Sequence, residues 1–427
     1  MILKNCKYII TQDKDRKILQ DTDILVKDGK IVKIAKNIEQ NNEEIHDFSS
    51  KLIMPGMINT HAHLPMTLFR GYSDDLGLHD WLQKMLAMEA KLTKEHVYWG
   101  TKLGLLEGIQ FGTTTFADFY YFPYERAQAM KESGVNGFLD STVHDMPGFF
   151  KTPTDAVNFS EKFIKDMLEE KYVTPIASAH SIYLCGKETI KRMKEISDKY
   201  NVLRRIHVSE TEREVKKSLD QYKATPIEFL DELGWIDEKT MLVHANWITN
   251  QELRIVKKNN AKINHNPISN MKLAYGRAMP LRKMLDMDII VSLATDGPTS
   301  NNNLDLFDDM KTSALMHKFE MNNPIGVKDQ EIYDMANIQG AKALMVEDEI
   351  GSVEVGKNAD FTAMGLNEAV FTPLNKHNNI ISHIIYAASG SNVTDTIVKG
   401  KFLYKNKEFM TLNKDEIIKN VQRLMKV

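Results

Sequence analysis

Two histidines, His61 and His63, follow an apolar run that ends in Ile58-Asn59-Thr60. In an extended strand, side chains at positions i and i+2 point to the same face of the sheet. Both imidazoles are therefore expected to project together from the end of a strand, at a separation that one small cation can span. An isolated pair of this kind is equally compatible with two loop histidines that have no function. Residues elsewhere in the chain favour the metal site.

Histidine, glutamate and aspartate recur where other apolar runs end. These ends read Ala179-His180-Ser181, Ile206-His207-Val208-Ser209-Glu210, Val243-His244-Ala245-Asn246, Asn264-His265-Asn266-Pro267 and Ala294-Thr295-Asp296-Gly297. Six of the thirteen histidines lie at the ends of such runs, which core packing alone does not explain. Imidazole and carboxylate suit zinc, iron or nickel, and a coordination position left open for water is typical of a catalytic site. We therefore predict a metal site with these ligands: His61, His63, His207 and Asp296.

The elements that must position these residues can be predicted from the alternation of the chain. Short β-branched or apolar runs alternate with longer amphipathic stretches between about residues 53 and 350, as is typical of β/α units around a parallel sheet. Eight candidate strands are found at 53–58, 113–118, 137–143, 173–179, 203–208, 241–245, 261–265 and 289–294. Eight units over about 300 residues predict an α/β fold of the (β/α)8 TIM-barrel type, in which functional groups sit at the C-terminal ends of the strands. An open doubly wound sheet is disfavoured, because no glycine-rich loop follows the first strand.

Both ends of the chain are predicted to be rich in strands. Candidate strands lie at 7–11, 23–26, 31–34, 361–364, 382–386, 393–398 and 402–404. Asp28-Gly29 and Lys399-Gly400 each separate two such runs, as in a two-residue hairpin. Each end is too small to bury a core alone. We therefore predict that residues 1–52 and 351–410 form one small composite β-sandwich beside a catalytic barrel at 53–350.

Two further segments carry predictions. Residues 411–427 have the pattern of an amphipathic C-terminal helix, with a packing role for its apolar face. Residues 71–92 form a long insertion after the first barrel strand, with a helical stretch at 81–89. Long loops on compact folds are usually functional or disordered. The apolar content of this insertion favours a lid over the site.

The composition is that of an ordinary globular protein, with 42% hydrophobic and 26% charged residues. A net charge of −3 without a long basic block argues against a nucleic-acid partner. No apolar run has the roughly 20 residues that a membrane-spanning helix needs, so no membrane partner is expected. The N-terminus lacks the features of a signal peptide, and Cys6 and Cys185 have no redox or metal-ligand spacing. We expect a cytoplasmic location.

Taken in order, the strand-end motifs resemble the amidohydrolase superfamily, and the resemblance covers essentially the whole chain. PGMINTHAH, HVSE, VHANW and ATDGPTSNNNLD carry it, together with residues 351–360, which lead into the C-terminal strands. The superfamily implies the TIM barrel and the split β-sandwich. The motifs at 209–210, 265–274 and 296–302 look like those of 5′-methylthioadenosine/S-adenosylhomocysteine deaminases. Similar branches deaminate adenosine, guanine or cytosine, or dechlorinate triazines.

The resemblance implies hydrolytic deamination of an adenine ring by a metal-activated water that attacks C6. Members with two metals place a lysine or glutamate at the end of strand four, and residues 174–180 contain neither. We therefore expect one divalent metal ion, preferably Zn²⁺ with Fe²⁺ as the alternative. By the same resemblance, Glu210 gives a proton to N1 and assists the departure of ammonia, and Asp296 accepts the proton of the water. His244 orients the hydroxide or, alternatively, serves as a further ligand.

Substrate contacts are also implied by the resemblance. Glu89 and His180 would contact the ribose hydroxyls, although the spacing from Trp81 to Glu89 is one residue shorter than in the family pattern. Members that accept S-adenosylhomocysteine place arginines after strand three, whereas residues 142–151 offer only Lys151, a point charge rather than a bidentate fork. Methylthioadenosine or another adenosine is therefore favoured. Residues that either line an apolar pocket or pack in the core are Met66, Leu68, Trp81, Leu86 and Met88.

The expected partner is thus a small-molecule nucleoside, and assembly into a homo-oligomer is left open. One alternative is a related hydrolase that acts on guanine, another aminopurine or aminopyrimidine, or a cyclic amide. A second alternative is a barrel kept as a non-enzymatic scaffold. A scaffold predicts lost ligands, whereas every predicted ligand and Glu210 are present in this chain.

Overall fold

The computed structural model describes residues 1–146, 148–375, 377 and 379–426. Its strands are, in chain order, β1 (Ile2–Ile10), β2 (Ile18–Lys27), β3 (Lys30–Ala35), β4 (Ile45–Asp47), β5 (Lys51–Pro55), β6 (Met57–Ala62), β7 (Thr113–Asp118), β8 (Asn136–Leu139), β9 (Val173–Pro175), β10 (Ala177–Ser181), β11 (Arg204–Val208), β12 (Thr240–His244), β13 (Lys262–His265), β14 (Val291–Leu293), β15 (Phe361–Gly365), β16 (Val393–Val398), β17 (Lys401–Lys405) and β18 (Glu408–Phe409).

The α-helices are α1 (Leu78–Glu89), α2 (Lys94–Gln110), α3 (Pro123–Ser133), α4 (Pro153–Met167), α5 (Lys187–Tyr200), α6 (Glu212–Tyr222), α7 (Pro226–Glu232), α8 (Asn250–Lys258), α9 (Pro267–Lys272), α10 (Leu281–Asp286), α11 (Leu306–Glu320), α12 (Asp329–Met335), α13 (Ile338–Ala343), α14 (Ile380–Tyr386) and α15 (Lys414–Leu424). Short 3-10 helices span Leu64–Phe69, Ala369–Phe371 and Gly390–Asn392. Among the described residues, none of these helices is both long and apolar enough to cross a bilayer.

Parallel strands β6 to β14 form the barrel that holds the predicted site. They hydrogen-bond in the orders β6-β7-β8-β9 and β10-β11-β12-β13-β14. Strands β9 and β10 are two parts of one barrel strand, since only Ile176 separates them and they pair with β8 and β11, respectively. A parallel bridge between Ala62 and Asp296 joins the first strand to the residues after the last one. The predicted (β/α)8 fold is confirmed.

The predicted first barrel strand, 53–58, is in fact divided at Gly56. Strand β5, before the glycine, belongs to the terminal sheet, and β6, after it, belongs to the barrel. The backbone N–H of Gly56 donates to Asp360 O, so the chain changes sheets at this residue. The break was not predicted, because the residues on both sides of Gly56 are buried and form one apolar run in the sequence.

Strands from both ends of the chain form one mixed sheet. Its hydrogen-bonded order is β18-β17-β16-β15-β5-β1-β2-β3, with β4 paired to β1. Both predicted hairpin turns have left-handed backbone angles, with φ of 50° and 77° at Asp28 and Gly29 and 46° and 73° at Lys399 and Gly400. These angles are those of type I′ turns. Residues from both ends share one buried core, including Ile9, Ile24, Ile53, Phe361 and Ile397.

The predicted strand at 382–386 is wrong, because these residues lie in helix α14. Asn379 caps the helix by accepting the backbone N–H of Ile381 through its side chain. The buried residues Ile380, Ile381, Ile384 and Ile385 recur with a helical spacing along one face. The β-branched composition indicated a strand, but the apolar face and the cap favour the helix.

Two helices frame the approach to the barrel rim. Helix α1 lies in the insertion that was predicted to be a lid, and it packs Leu78, Trp81 and Met85 into a hydrophobic cluster with Met66 of the rim. The predicted C-terminal helix is α15, which buries Ile417 and contacts α2. The barrel rim, the insertion and the C-terminal helix therefore pack together.

Substituting Gly56→Ala is expected to destabilise the protein by about 1 to 3 kcal/mol, because a Cβ atom at this position would lie 2.2 Å from Thr114 Oγ1. Urea-induced unfolding measures the effect. Gly148→Ala is the matched control, since its Cβ would meet only His144, at 3.8 Å. Equal stabilities of the two variants would contradict the close approach of β6 and β7 at Gly56.

Candidate active site

Three imidazoles and one carboxylate meet at the C-terminal end of the barrel. His61 lies in β6, His63 just after it, His207 in β11 and Asp296 after β14. The ligand atoms of the three histidines all lie within 4.8 Å of one another. Asp296 Oδ1 lies 3.0 Å from His63 Nε2 and 3.4 Å from His61 Nε2. The structure thus brings all four predicted metal ligands together in one cage.

Backbone carbonyl groups fix two of the imidazoles. His63 Nδ1 lies 2.6 Å from Phe119 O, and His207 Nδ1 lies 2.8 Å from His180 O. Each Nδ1 must carry a proton in order to donate to a carbonyl, so the lone pair of the neutral ring lies on Nε2 and points into the cage. Metal-binding histidines are commonly oriented in this way.

The centre of the cage favours a positive charge. His61 Nε2 and His207 Nε2 are 3.2 Å apart, and burial lowers the pKa of both rings well below the usual value, which keeps them neutral. Burial also lowers the pKa of His63, but the hydrogen bond with Asp296, the charge of Asp296 and the bond to the Phe119 carbonyl together outweigh this, and the net pKa is raised. Three imidazoles and a carboxylate around such a centre fit a divalent metal of the zinc type.

Asp296 is held as a carboxylate with one oxygen directed at the histidines. The hydroxyls of Ser269 and Ser300 donate to Oδ2 at 2.5 and 3.2 Å, which leaves Oδ1 facing the cage. Burial raises the pKa of Asp296, but hydrogen bonds with His61 and His63 lower it well below its usual value. An ionised carboxylate is the form that binds a metal.

Glu210 and His244 face each other beside the cage. Glu210 Oε1 lies 3.5 Å from His244 Nε2. Tyr275 donates its hydroxyl to Glu210 Oε1 at 2.5 Å, and Tyr183 donates to Oε2 at 3.0 Å. His244 Nδ1 lies 2.8 Å from Asn270 Oδ1 and donates to it, which turns Nε2 towards Glu210. A carboxylate and an imidazole in fixed orientations can carry out acid–base chemistry next to the cage.

A cavity of about 630 Å³ opens onto these groups. Helix α1 supplies much of its apolar wall, through Leu78, Trp81, Leu82, Met85 and Leu86. Of the residues predicted to line it, three do so: Met66, Trp81 and Leu86. Leu68 and Met88 instead belong to the hydrophobic cluster beside the cavity.

Glu89 and His180 line the same cavity. Glu89 ends helix α1 and accepts a hydrogen bond from the hydroxyl of Tyr120 at 2.6 Å. Burial raises the pKa of Glu89 to about 7, although the bond from Tyr120 lowers it. Burial lowers the pKa of His180 well below its usual value, so its ring is neutral. The predicted substrate residues therefore face the cage across one pocket.

The tyrosines of the site were missed in the sequence. Tyr120 follows β7, and Tyr183 follows His180 by three residues, so a search for hydroxyl groups after each strand would have found them. Tyr275 lies farther from its strand, beyond α9, and no local pattern distinguishes it. Its role depends on a loop conformation that composition does not specify.

Two residues that the sequence drew attention to lie outside this cavity. His265 Nε2 lies 3.1 Å from His317 Nε2 in a buried pair. Lys151 lines a separate cavity of about 380 Å³, which shares Tyr121 and Thr142 with the first. Among the described residues, the lining of the 630 Å³ cavity therefore contains neither lysine nor arginine.

Comparisons with known proteins agree with this geometry. The model of the amidohydrolase family matches residues 52–403. A 5′-deoxyadenosine deaminase of Methanobrevibacter smithii is 38% identical over 403 residues, covering 94% of this chain and 92% of the relative. A 5-methylthioadenosine/S-adenosylhomocysteine deaminase of Pyrococcus furiosus is 36% identical over 421 residues and covers 98% of both chains. The crystal structure of an adenosine deaminase from Xanthomonas campestris with bound zinc superposes with a TM-score of 0.95 at 27% identity, covering 99% of this chain and 97% of that one.

Removing one cage ligand is expected to abolish metal binding. His207→Ala should lower the affinity for a divalent metal by more than about tenfold, whereas His244→Ala should keep about one bound ion per chain. Metal content after dialysis is measured by mass spectrometry of the protein, with thermal unfolding to show that both variants fold. Loss of metal in His244→Ala would instead make His244 a further ligand.

The buried Glu89 carboxyl makes stability depend on pH. With a pKa raised from 4.5 to about 7, the folded protein keeps a proton that the unfolded chain releases, so stability falls as pH rises through this window. Glu89→Gln removes this effect. Between about pH 5 and pH 8, the free energy of unfolding of the wild type should fall by about 2 to 3 kcal/mol more than that of the variant. Urea-induced unfolding at both pH values measures it.

Tyr120→Phe provides a second test of the same carboxyl. The variant removes the hydrogen bond that favours the charged form of Glu89. In Tyr120→Phe, the pH range over which the free energy of unfolding falls should therefore extend to higher pH than in the wild type. Parallel pH curves for the wild type and Glu89→Gln would contradict the raised pKa.

Proposed function

Because the chain belongs to the amidohydrolase family, we propose that it hydrolyses the C6–N6 bond of adenine in a 5′-modified adenosine. The products are ammonia and the corresponding inosine derivative. Membership in the family also confirms the predicted hydrolase class. The observation that carries the proposal is the pair of Glu210 and His244, fixed beside the four predicted metal ligands and lining one cavity with Glu89 and His180.

The cage residues His61, His63, His207 and Asp296 would hold one divalent ion, which we take to be Zn²⁺ with Fe²⁺ as the alternative. The zinc-bound structural neighbour supports this choice. When bound, such an ion makes hydroxide available from water near neutral pH. Asp296 is placed to accept the proton of that water, because its Oδ1 faces the cage while two hydroxyls hold its Oδ2.

Glu210 supplies the acid for the purine ring. Addition of hydroxide to C6 moves an electron pair onto N1, and this nitrogen takes a proton from Glu210. When the C6–N6 bond then breaks, the leaving nitrogen takes the proton that Asp296 accepted from the water, and the Glu210 carboxylate assists that transfer. As the C6 carbonyl forms, the proton of the added hydroxyl returns to Glu210. His244 orients the hydroxide and stabilises the charge that develops on the oxygen. An acid and a base on opposite sides of the attacked carbon are what addition and elimination require.

The remainder of the cavity suits a nucleoside whose 5′ group carries no charge. Glu89 and His180 lie where they can accept or donate hydrogen bonds to ribose hydroxyls, and a carboxylate can accept more than the single bond that Tyr120 donates. The apolar side chains of α1, the helix that Glu89 ends, line the same cavity. Without a lysine or arginine among the described lining residues, an amino-acid carboxylate has no cationic partner there. We therefore propose 5′-deoxyadenosine or 5′-methylthioadenosine as better substrates than S-adenosylhomocysteine.

A panel of compounds tests the proposal through ammonia release. It contains 5′-deoxyadenosine, 5′-methylthioadenosine, adenosine, S-adenosylhomocysteine, guanine and cytosine. The first two are expected to have the highest kcat/KM, and Glu210→Gln should lose about 10²- to 10⁴-fold in kcat. Inactivity of the metal-loaded protein on every adenosine derivative would refute the proposed function, and activity on guanine or cytosine alone would replace it by the related hydrolase.

A further inference from the structure

One short segment, Asn266–Tyr275, contacts all three groups to which the proposed chemistry assigns proton transfer or charge stabilisation. Its Ser269 hydroxyl donates to Asp296 at 2.5 Å, and its Asn270 amide oxygen accepts from His244 at 2.8 Å. Its Tyr275 hydroxyl donates to Glu210 at 2.5 Å. Three separate barrel strands carry these groups, so their common support comes from this segment.

The segment is itself held in one conformation. Helix α9 forms most of it, and the backbone N–H of Tyr275 donates to Asn270 O at 3.1 Å after the helix ends. Trp247 donates its indole N–H to Tyr275 O at 2.7 Å. The Tyr275 side chain is buried and packs edge-on against the His244 ring, with centroids 5.7 Å apart. Its hydroxyl is therefore fixed in place from both the backbone and the ring.

Resting on the proposed function, we propose that Tyr275 is a positioning residue that holds the Glu210 carboxyl group in the orientation from which it gives its proton to the purine. Glu210 has three side-chain torsions, and its Oε1 lies between two groups. Tyr275 donates to Oε1 at 2.5 Å, whereas His244 Nε2, the ring nitrogen without a proton, lies 3.5 Å away. Without the Tyr275 hydroxyl, the carboxyl group that carries the proton for N1 can turn and donate it to His244 Nε2 instead.

The backbone of Glu210 is already fixed, so the freedom that remains lies in its side chain. Its backbone N–H donates to Glu214 Oε2 at 2.8 Å, and its carbonyl accepts from Asn246 at 3.3 Å. Tyr183 holds the other carboxylate oxygen at 3.0 Å. Of the two tyrosines, Tyr275 donates the shorter hydrogen bond to Glu210. Its ring packs edge-on against His244, so the position of its hydroxyl is well defined.

Tyr275→Phe removes only the hydroxyl and is the variant that tests this role. With 5′-deoxyadenosine as substrate, kcat should fall about 10- to 100-fold, because the lost bond is one to a charged group. KM should change less than about threefold, since the ring still lines the cavity. Tyr98→Phe is the matched control: its hydroxyl bonds Glu132 on the protein surface, and its kcat should equal that of the wild type.

A double-mutant cycle shows whether Tyr275 acts through Glu210. In the Glu210→Gln background, Tyr275→Phe should change kcat less than about twofold. Equal fold-losses in both backgrounds would overturn the proposal and leave Tyr275 with a merely structural role. Unchanged kcat in Tyr275→Phe would overturn it as well.

A crystal structure of substrate-free Tyr275→Phe gives a readout that does not depend on activity. The Glu210 carboxylate is expected to rotate towards His244, while the backbone of 207–210 stays in place. An unmoved carboxylate would overturn the proposal even if the wild type deaminates none of the nucleosides tested. Inactivity of the wild type, by contrast, refutes the proposed function alone, so the two failures are distinguishable. Thermal unfolding shows that the variant folds.

Discussion

The closure of the barrel is the constraint on which the site depends. The backbone N–H of Asp296 donates to His61 O at 3.0 Å. Asn59 Nδ2 donates to the Thr295 hydroxyl, and Asn59 Oδ1 accepts from the backbone N–H of Thr295. These bonds join the first strand to the residues after the last one, so the carboxylate has to lie against the histidines. The fold imposes the repulsion among the lone pairs of these ligands, and a bound cation would relieve it without movement of the strands.

A second layer of buried charge lies beneath the cage and holds the strands that carry it. Arg205 is two residues before His207, so both side chains point into the barrel. Its guanidinium pairs with Asp140 at 2.5 Å, donates to Ala117 O at 2.9 Å and lies over the Phe119 ring. Burying such ion pairs costs desolvation energy and is weak evidence for stability. Its structural effect is clearer, since Arg205 ties β11 to the strand that precedes Phe119, whose carbonyl orients His63.

The sequence was informative where a periodic pattern and a chemical group coincided. His61, His207 and Asp296 could be placed because they end apolar strands, and parallel strands bring their ends to one rim. The prediction was wrong where composition and spacing disagree. Ile384 and Ile385 favoured a strand at 382–386, although the spacing of the buried isoleucines from 380 to 385 and the Asn379 cap make a helix. The change of sheet within 53–58 could not be predicted, because the residues on both sides of Gly56 are buried and no polar residue separates them. Tyr275 reaches Glu210 through loop geometry that no local pattern records.

The carboxyl of Glu89 connects the stability of the fold to the proposed substrate. It is buried at the end of α1, and its raised pKa means that ionising it among these buried side chains costs free energy. If ribose hydroxyls donate to it, as proposed, binding relieves that cost by giving the charged form the hydrogen bonds it lacks. The apolar face of α1 is held by Trp81 and Met85 in a cluster that also receives Val421 of the C-terminal helix. The packing that keeps α1 in place therefore also keeps Glu89 desolvated. Under the proposed function, part of the affinity for a nucleoside would come from relieving this destabilised carboxyl group.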